Sequence, residues 1–278
     1  MSGNTGVGQS YRAPSLLERL ASGSASRAPG WLRRPLRRAY AWMLAALPGD
    51  HLVCRLPGGE MFRVDPEHRH LAWNAEEYAA MKAQVKPGAT VLDVGANVGA
   101  YTLLFATWVG QHGRVFAFEP ASASRAGLER HLRINQLAHR VTVRGDAVCG
   151  ATGTAVFRDE GTHGDNRLVS AGAAAGREVP AITIDDFCAA ERIVPDVIKI
   201  DIEGAELDAL RGARRTIASR RYTLALFVEL HPAIWPSLGV TREDIERELR
   251  EQRLAVEPVP GVSDPWTTQG VCVRIRAV

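Results

Sequence analysis

Val91-Leu92-Asp93-Val94-Gly95-Ala96-Asn97-Val98-Gly99-Ala100-Tyr101-Thr102 is the stretch on which the fold turns. A short apolar run reaches a glycine-rich turn, and the residues beyond it can open a helix. Gly95 permits a sharp turn at the carboxyl end of a strand, and Gly99 permits a ligand to approach without a Cβ in the way. The helix that follows offers unpaired N–H groups to an anion. This is the shape of a loop for a nucleotide-bearing cofactor, with either a pyrophosphate or a carboxylate as the anion. A dinucleotide fingerprint needs a glycine at 97 as well, and Asn97 breaks it. Asp93, two residues before Gly95, points instead to a cationic group beside the anion, as in an amino acid.

Working outward, strand and helix patterns alternate. A helix around Ala75 to Gln84 precedes the strand Thr90 to Val94, and a helix at about 98–108, strand 114–118, a helix at about 122–135 and strand 141–145 follow. Further strands are expected near Val197 to Ile200 and over Leu224 to Leu230, then a helix over Arg242 to Gln252. This alternation predicts a doubly wound, mostly parallel Rossmann-like sheet. Leu254 to Pro258 and Val271 to Ile275 are joined closely enough to be antiparallel, which gives seven strands with an antiparallel last one. Gly150 to Val179 reads as loop, with Thr154 to Phe157 as a strand at the sheet edge.

Upstream, His51 to Val64 reads as a hairpin around Pro57-Gly58-Gly59. Leu32, Leu36, Tyr40, Met43 and Leu47 repeat at helical spacing, with Arg33, Arg34, Arg37 and Arg38 off that stripe. The helix over 31–47 either packs on the body, covering part of the active site, or contacts a membrane peripherally. The chain thus divides into a disordered tail (1–28), a helix and hairpin extension (29–74) and the α/β body (75–278).

Composition excludes several classes. A content of 46% hydrophobic and 23% charged residues over 278 residues fits a globular protein rather than a disordered one. No apolar run reaches the roughly 18 residues of a membrane span, and the N-terminus lacks a secretory pattern, so a cytoplasmic location is expected. Cys54, Cys149, Cys188 and Cys272 are scattered, suggesting neither a zinc knuckle nor a disulfide framework. Residues 1–50 carry seven Arg against Glu18 and Asp50, a net of +5, whereas the whole chain is only +3. The body is therefore slightly acidic, which argues against a nucleic-acid partner.

DVGANVGAYT at 93–102, Phe116-Ala117-Phe118-Glu119-Pro120, the run Ile198-Lys199-Ile200-Asp201-Ile202-Glu203-Gly204-Ala205-Glu206, and Val228-Glu229-Leu230-His231-Pro232 occur in order at βαβ spacings. Together they resemble the FkbM-type family of class I S-adenosylmethionine-dependent methyltransferases. The resemblance implies S-adenosylmethionine as cofactor. It also implies O-methylation of a hydroxyl on a small secondary metabolite or sugar, with a small-molecule acceptor as partner.

Ligands bind at the carboxyl ends of parallel strands, which selects the candidate residues. By resemblance, Asp93 helps hold the methionine part of the cofactor, together with Gly95, Asn97 and Gly99. Tyr101 and Thr102 are candidates for its carboxylate, a core-facing Tyr101 being the alternative. Glu119 can accept hydrogen bonds from both ribose hydroxyls. Asp146 either accepts from the adenine amino group or serves as a turn aspartate. Asp201 is expected near the transferable methyl, orienting the acceptor or holding the cofactor, while Glu203 and Glu206 act as structural partners, with Lys199 as their counter-charge. His231 is the first candidate for general base and Asp201 the second, against a structural histidine before Pro232. Asp201, Glu203, Glu229 and His231 would suit Mg²⁺, but their spacing is not metal-specific and no metal is assigned. The rival readings are a nicotinamide-dependent oxidoreductase, disfavoured by Asn97 and the antiparallel end, and a non-catalytic cofactor-binding or membrane-associated partner protein.

Overall fold

Val91 to Val94 are buried on both faces of their strand, as the central strand of a parallel sheet must be. In the computed structural model, which describes residues 10–11, 51–69, 71–158, 167–169, 176–258 and 264–278, that strand lies in the middle of a seven-stranded sheet. The expected tail at 1–28 and the helix at 31–47 lie outside the described residues, Ser10 and Tyr11 excepted.

The chain enters through a hairpin, β1 (Leu52–Arg55) and β2 (Met61–Val64), closed by Leu56 N–H on Glu60 O at 2.9 Å. Helix α1 (Ala75–Gln84) starts at Asn74, whose side chain accepts from Glu76 and Glu77 N–H. Then come β3 (Thr90–Val94), α2 (Ala100–Trp108), β4 (Arg114–Phe118), α3 (Ser122–Ile134) and β5 (Val141–Arg144). Four short strands follow: β6 (Ala147–Val148), β7 (Gly153–Arg158), β8 (Arg167–Val169) and β9 (Arg177–Ile182). The remainder is α4 (Ile184–Glu191), β10 (Val197–Ile200), α5 (Glu206–Arg211), α6 (Arg214–Ser219), β11 (Ala225–Leu230), α7 (Arg242–Glu251), β12 (Leu254–Pro258) and β13 (Val271–Ala277).

The strand order is β12-β13-β11-β10-β3-β4-β5. Pairing is parallel from β11 to β5, and β13 runs antiparallel to both β11 and β12. The order reverses between β3 and β10, so their carboxyl ends open a crevice. Alternate strand residues feed two cores. Val91, Val197 and Phe227 join Met81, Leu103 and Leu128 of α1 to α3, while Leu92, Ile198 and Val228 join Phe187, Leu210 and Leu249 of α4 to α7. Each such side chain contributes about 1.5–3 kcal/mol by leaving water. Cys54, Leu56 and Phe62 of the hairpin share the first core.

One expectation is corrected. The segment after β5 does not add a strand to the central sheet: β6 to β9 form a separate four-stranded sheet in the order β8-β7-β9-β6. β7 is paired on both sides, by Val169 against Val156 and by Arg177 against Phe157. Among the described residues, no helix is long and apolar enough to cross a membrane.

Candidate active site at the sheet switch point

The turn after β3 alternates in hand. Gly95, Asn97 and Gly99 have φ of 85°, 47° and 95°, and asparagine tolerates that region better than other non-glycine residues. Gly95 and Ala96 N–H both donate to Phe118 O, at 3.0 and 2.9 Å. A Cβ on Gly95 would lie 1.7 Å from Asp201 O, so the loop after β3 rides directly on the backbone after β10. Gly99 takes a different role from the one expected. Its Cβ direction meets Leu128 Cδ1 at 2.5 Å, so the missing side chain makes room for α3 rather than for a ligand. Gly99 is also the N-cap of α2, and no side chain caps that helix. Its first-turn N–H groups are therefore of the kind that bind anions.

One cleft collects Gly95, Asn97, Glu119, Asp146 and Asp201 from the ends of different strands. Glu119 accepts from Asn97 N–H at 2.7 Å on one carboxylate oxygen and from Ala121 N–H at 2.8 Å on the other. Asp146 pairs with Arg144 at 2.9 Å. Phe118 and Val148 give the cleft an apolar wall, joined by Phe157 and Leu168 from the small sheet. The last two escaped the sequence reading. Phe157 lay in an expected strand, but nothing local to it indicates which sheet it joins.

Next to the cleft lies a buried charged network. Lys199, 1% exposed in the middle of β10, donates to Asp201 Oδ2 at 2.8 Å and sits 4.8 Å from the centre of the Tyr101 ring. Burial opposes the ammonium charge, but Asp201, Asp93 and Glu229 outweigh it and raise the lysine pKa. The partner expected for Lys199, Glu203 or Glu206, is thus replaced by Asp201. Asp93 is 1% exposed and does not line the cleft. Its Oδ2 accepts from the Thr102 hydroxyl at 2.5 Å, while its Oδ1 is buried without a partner. Burial pushes the Asp93 pKa up. Thr102, fully buried, is therefore spent on Asp93, and Tyr101 donates its hydroxyl to Glu77. Neither is placed as the carboxylate contact expected of it. Glu77 was missed because its partner is 24 residues away in sequence.

His231 follows β11 and is 3% exposed. Its Nδ1 lies 2.7 Å from Glu206 Oε1, and Glu206 also accepts from Gly204 N–H and Trp235 Nε1–H. With Glu206 acting as acceptor throughout, Nδ1 is the donor. Burial opposes the imidazolium, but Glu206 first, then Asp201 and Glu203, raise the His231 pKa to about 9. These acidic neighbours thus favour the protonated form of the histidine expected as general base. Asp201 moves the other way: Lys199 and His231 overcome its burial and hold its pKa down. Burial, then the charge of Asp201, pushes Glu229 well up.

The family model of the methyltransferase FkbM domain matches residues 93–261. The AMB antimetabolite synthetase AmbE of Pseudomonas aeruginosa is 28% identical over 211 residues, covering 62% of this chain and 10% of its own length. The hexuronic acid methyltransferase AglP of Haloferax volcanii is 24% identical over 168 residues, covering 59% of this chain and 63% of its own. This chain therefore spans a small part of the first relative and under two thirds of the second. Among solved structures, the methyltransferase FkbM from Methylobacillus flagellatus KT superposes with a TM-score of 0.46 at 23% identity, over 67% of this chain and 43% of that one. Since the domain match runs from Asp93 past His231 and takes in more than half of the residues, the chain belongs to the FkbM methyltransferase family.

Proposed function

We propose that the protein transfers a methyl group from S-adenosylmethionine to an oxygen of a small molecule, a hydroxyl on a secondary metabolite or a sugar. The observation that carries this reading is the convergence of Gly95, Glu119, Asp146 and Asp201 on one cleft at the switch point of the sheet. The residues present fit the cofactor. Glu119 has one oxygen held by Asn97 N–H and the other by Ala121 N–H, which presents its carboxylate at the strand end where ribose hydroxyls would donate. Asp146 offers an acceptor to an exocyclic amine, and Phe118, Val148 and Phe157 offer a surface to a flat apolar ring. The uncapped start of α2 suits a carboxylate, and the unpartnered Oδ1 of Asp93 is the buried acceptor that an amino group, directly or through a water, would satisfy.

When bound, S-adenosylmethionine supplies an electrophilic methyl on a sulfonium. The chain's own task is to align the acceptor oxygen with that methyl, exclude water and manage the acceptor proton. Asp201, which lines the cleft and is locked by Lys199, is the residue assigned to orient the acceptor hydroxyl. Beside it, the His231 ring is fixed by the bond between its Nδ1 and Glu206. The nicotinamide reading loses ground because Asn97 stands where the dinucleotide loop needs glycine and β13 is antiparallel.

The test is transfer of a radiolabelled methyl group to a panel of sugars, with hexuronic acids included because AglP is named for one. Label appearing on an oxygen of one class supports the reading. Absence of transfer together with absence of S-adenosylmethionine binding overturns it.

A further inference from the structure

The Nε2 edge of His231 has no use in the site as described. It faces Glu203 Oε2 and Glu229 Oε1 at 3.6 Å and Asp201 Oδ1 at 3.9 Å, all beyond hydrogen-bonding distance. The residue as a whole is only 3% exposed. The ligand atoms of Asp201, Glu229 and His231 all lie within 4.8 Å of one another. We propose that Asp201, Glu229 and His231 form a divalent-metal site in the floor of the cleft, with Glu206 orienting the histidine, and that it takes Mn²⁺ or a similar first-row ion.

Four features support the assignment. First, a metal-bound imidazole characteristically gives its other N–H to a carboxylate, and Glu206 receives Nδ1–H while being fixed in turn by Gly204 and Trp235. Second, bonds of about 2.0–2.2 Å set neighbouring ligand atoms about 3–3.5 Å apart, so the His231 to Glu229 separation needs only a small closure. Third, Lys199 engages Asp201 through Oδ2 and leaves Oδ1 turned toward His231. Fourth, the carboxylates of Glu203 and Glu206 also face the imidazole, at 3.6 and 2.7 Å, so the ring sits among acidic groups on more than one side. The donor set decides the ion: an imidazole favours a first-row metal over Mg²⁺ or Ca²⁺, and two carboxylates with no thiolate favour Mn²⁺.

Of the three ligands, Asp201 also lines the cleft, which joins the metal site to it. A role in polarising the acceptor hydroxyl rests on the methyl-transfer reading; binding of the ion does not.

The experiment is titration of the chelator-treated full chain with Mn²⁺, followed by loss of the free-ion electron paramagnetic resonance signal. Parallel calorimetry with S-adenosylhomocysteine reports folding and cofactor binding. The unmodified chain is expected to bind one Mn²⁺. Glu229→Gln should weaken this at least about 10-fold and Glu206→Gln by about 10–100-fold, with S-adenosylhomocysteine affinity retained in both. If a variant does not fold, the anomalous signal of crystals grown with Mn²⁺ should place the ion between Asp201, Glu229 and His231. No Mn²⁺ uptake by a chain that binds S-adenosylhomocysteine overturns the metal site and leaves the methyl-transfer reading standing. So does unchanged Mn²⁺ affinity in Glu229→Gln. Uptake without S-adenosylhomocysteine binding supports the site and removes its proposed use.

Discussion

Replacing Gly95 by alanine should damage this protein far more than replacing Gly99, although both have φ near 90°. The shared backbone cost of holding an L residue in the left-handed region is about 1–2 kcal/mol. What differs is the neighbour. At Gly95 the new Cβ falls 1.7 Å from a backbone carbonyl, Asp201 O, whereas ordinary contact is about 3.5–4.0 Å. The loop and the end of β10 must therefore separate by about 2 Å, and Asp201 N–H is itself bonded to Val94 O at 2.9 Å. At Gly99 the new Cβ meets Leu128 Cδ1 at 2.5 Å, the end of a buried side chain rather than backbone, so a small repacking of that side chain can relieve the approach. Gly95→Ala should lose about 3 kcal/mol or more, and Gly99→Ala about 1–2 kcal/mol. Urea denaturation of both variants measures this, with S-adenosylhomocysteine calorimetry showing whether the cleft survives. Equal losses, or a Gly95→Ala protein with intact cofactor affinity, would show that the loop does not ride on Asp201 in solution.

Three further outcomes are expected. Glu119→Ala should weaken S-adenosylmethionine binding by about 1–3 kcal/mol through lost ribose bonds, read by calorimetry; an unchanged affinity removes the ribose assignment. Glu60, buried, has its carboxyl held at about 2 rather than 4.5, because hydrogen bonds from Lys82, Trp108 and Tyr78 outweigh desolvation. A depressed pKa stabilises the fold above 4.5, and that stability is lost as pH falls toward about 2. A full effect would be roughly 3 kcal/mol, discounted to about 2 kcal/mol because Lys82 is partly exposed. Wild type should therefore outlast Glu60→Gln in urea at neutral pH, with the gap closing below pH 4.5; a gap that persists at pH 2 contradicts the linkage. Asp201→Asn should cut turnover about 10²–10⁴-fold while changing donor affinity much less, as steady-state kinetics set against calorimetry would show. Loss of the donor altogether would instead place Asp201 among the cofactor's own contacts.

Much of this architecture was legible because its signals are local. The strand Thr90–Val94 and the helix Ala75–Gln84 match their expected limits, and the antiparallel end followed from the short link between Leu254–Pro258 and Val271–Ala277. Strand ends also select Glu119, Asp146, Asp201 and His231, because chain topology carries acidic residues there to one crevice. Illegible features depend on contacts distant in sequence. The small sheet forms by pairing Arg177 with Phe157 across a glycine-rich interval, and no periodicity in either segment announces that partner. Tyr101 and Thr102 begin a helix whose orientation is set by Glu77 and Asp93, so their hydroxyls turn inward. The state of His231 likewise depends on Glu206, 25 residues away along the chain and fixed by Trp235. Position at a strand end named the histidine but not its protonation.

The most direct test of the central claim is calorimetric titration of the purified full chain with S-adenosylmethionine and, in parallel, with NAD. The cleft formed by Gly95, Glu119, Asp146 and Asp201 predicts saturable binding of S-adenosylmethionine at one site per chain and no heat from NAD. Binding of NAD, or of neither ligand by a folded chain, would contradict the account.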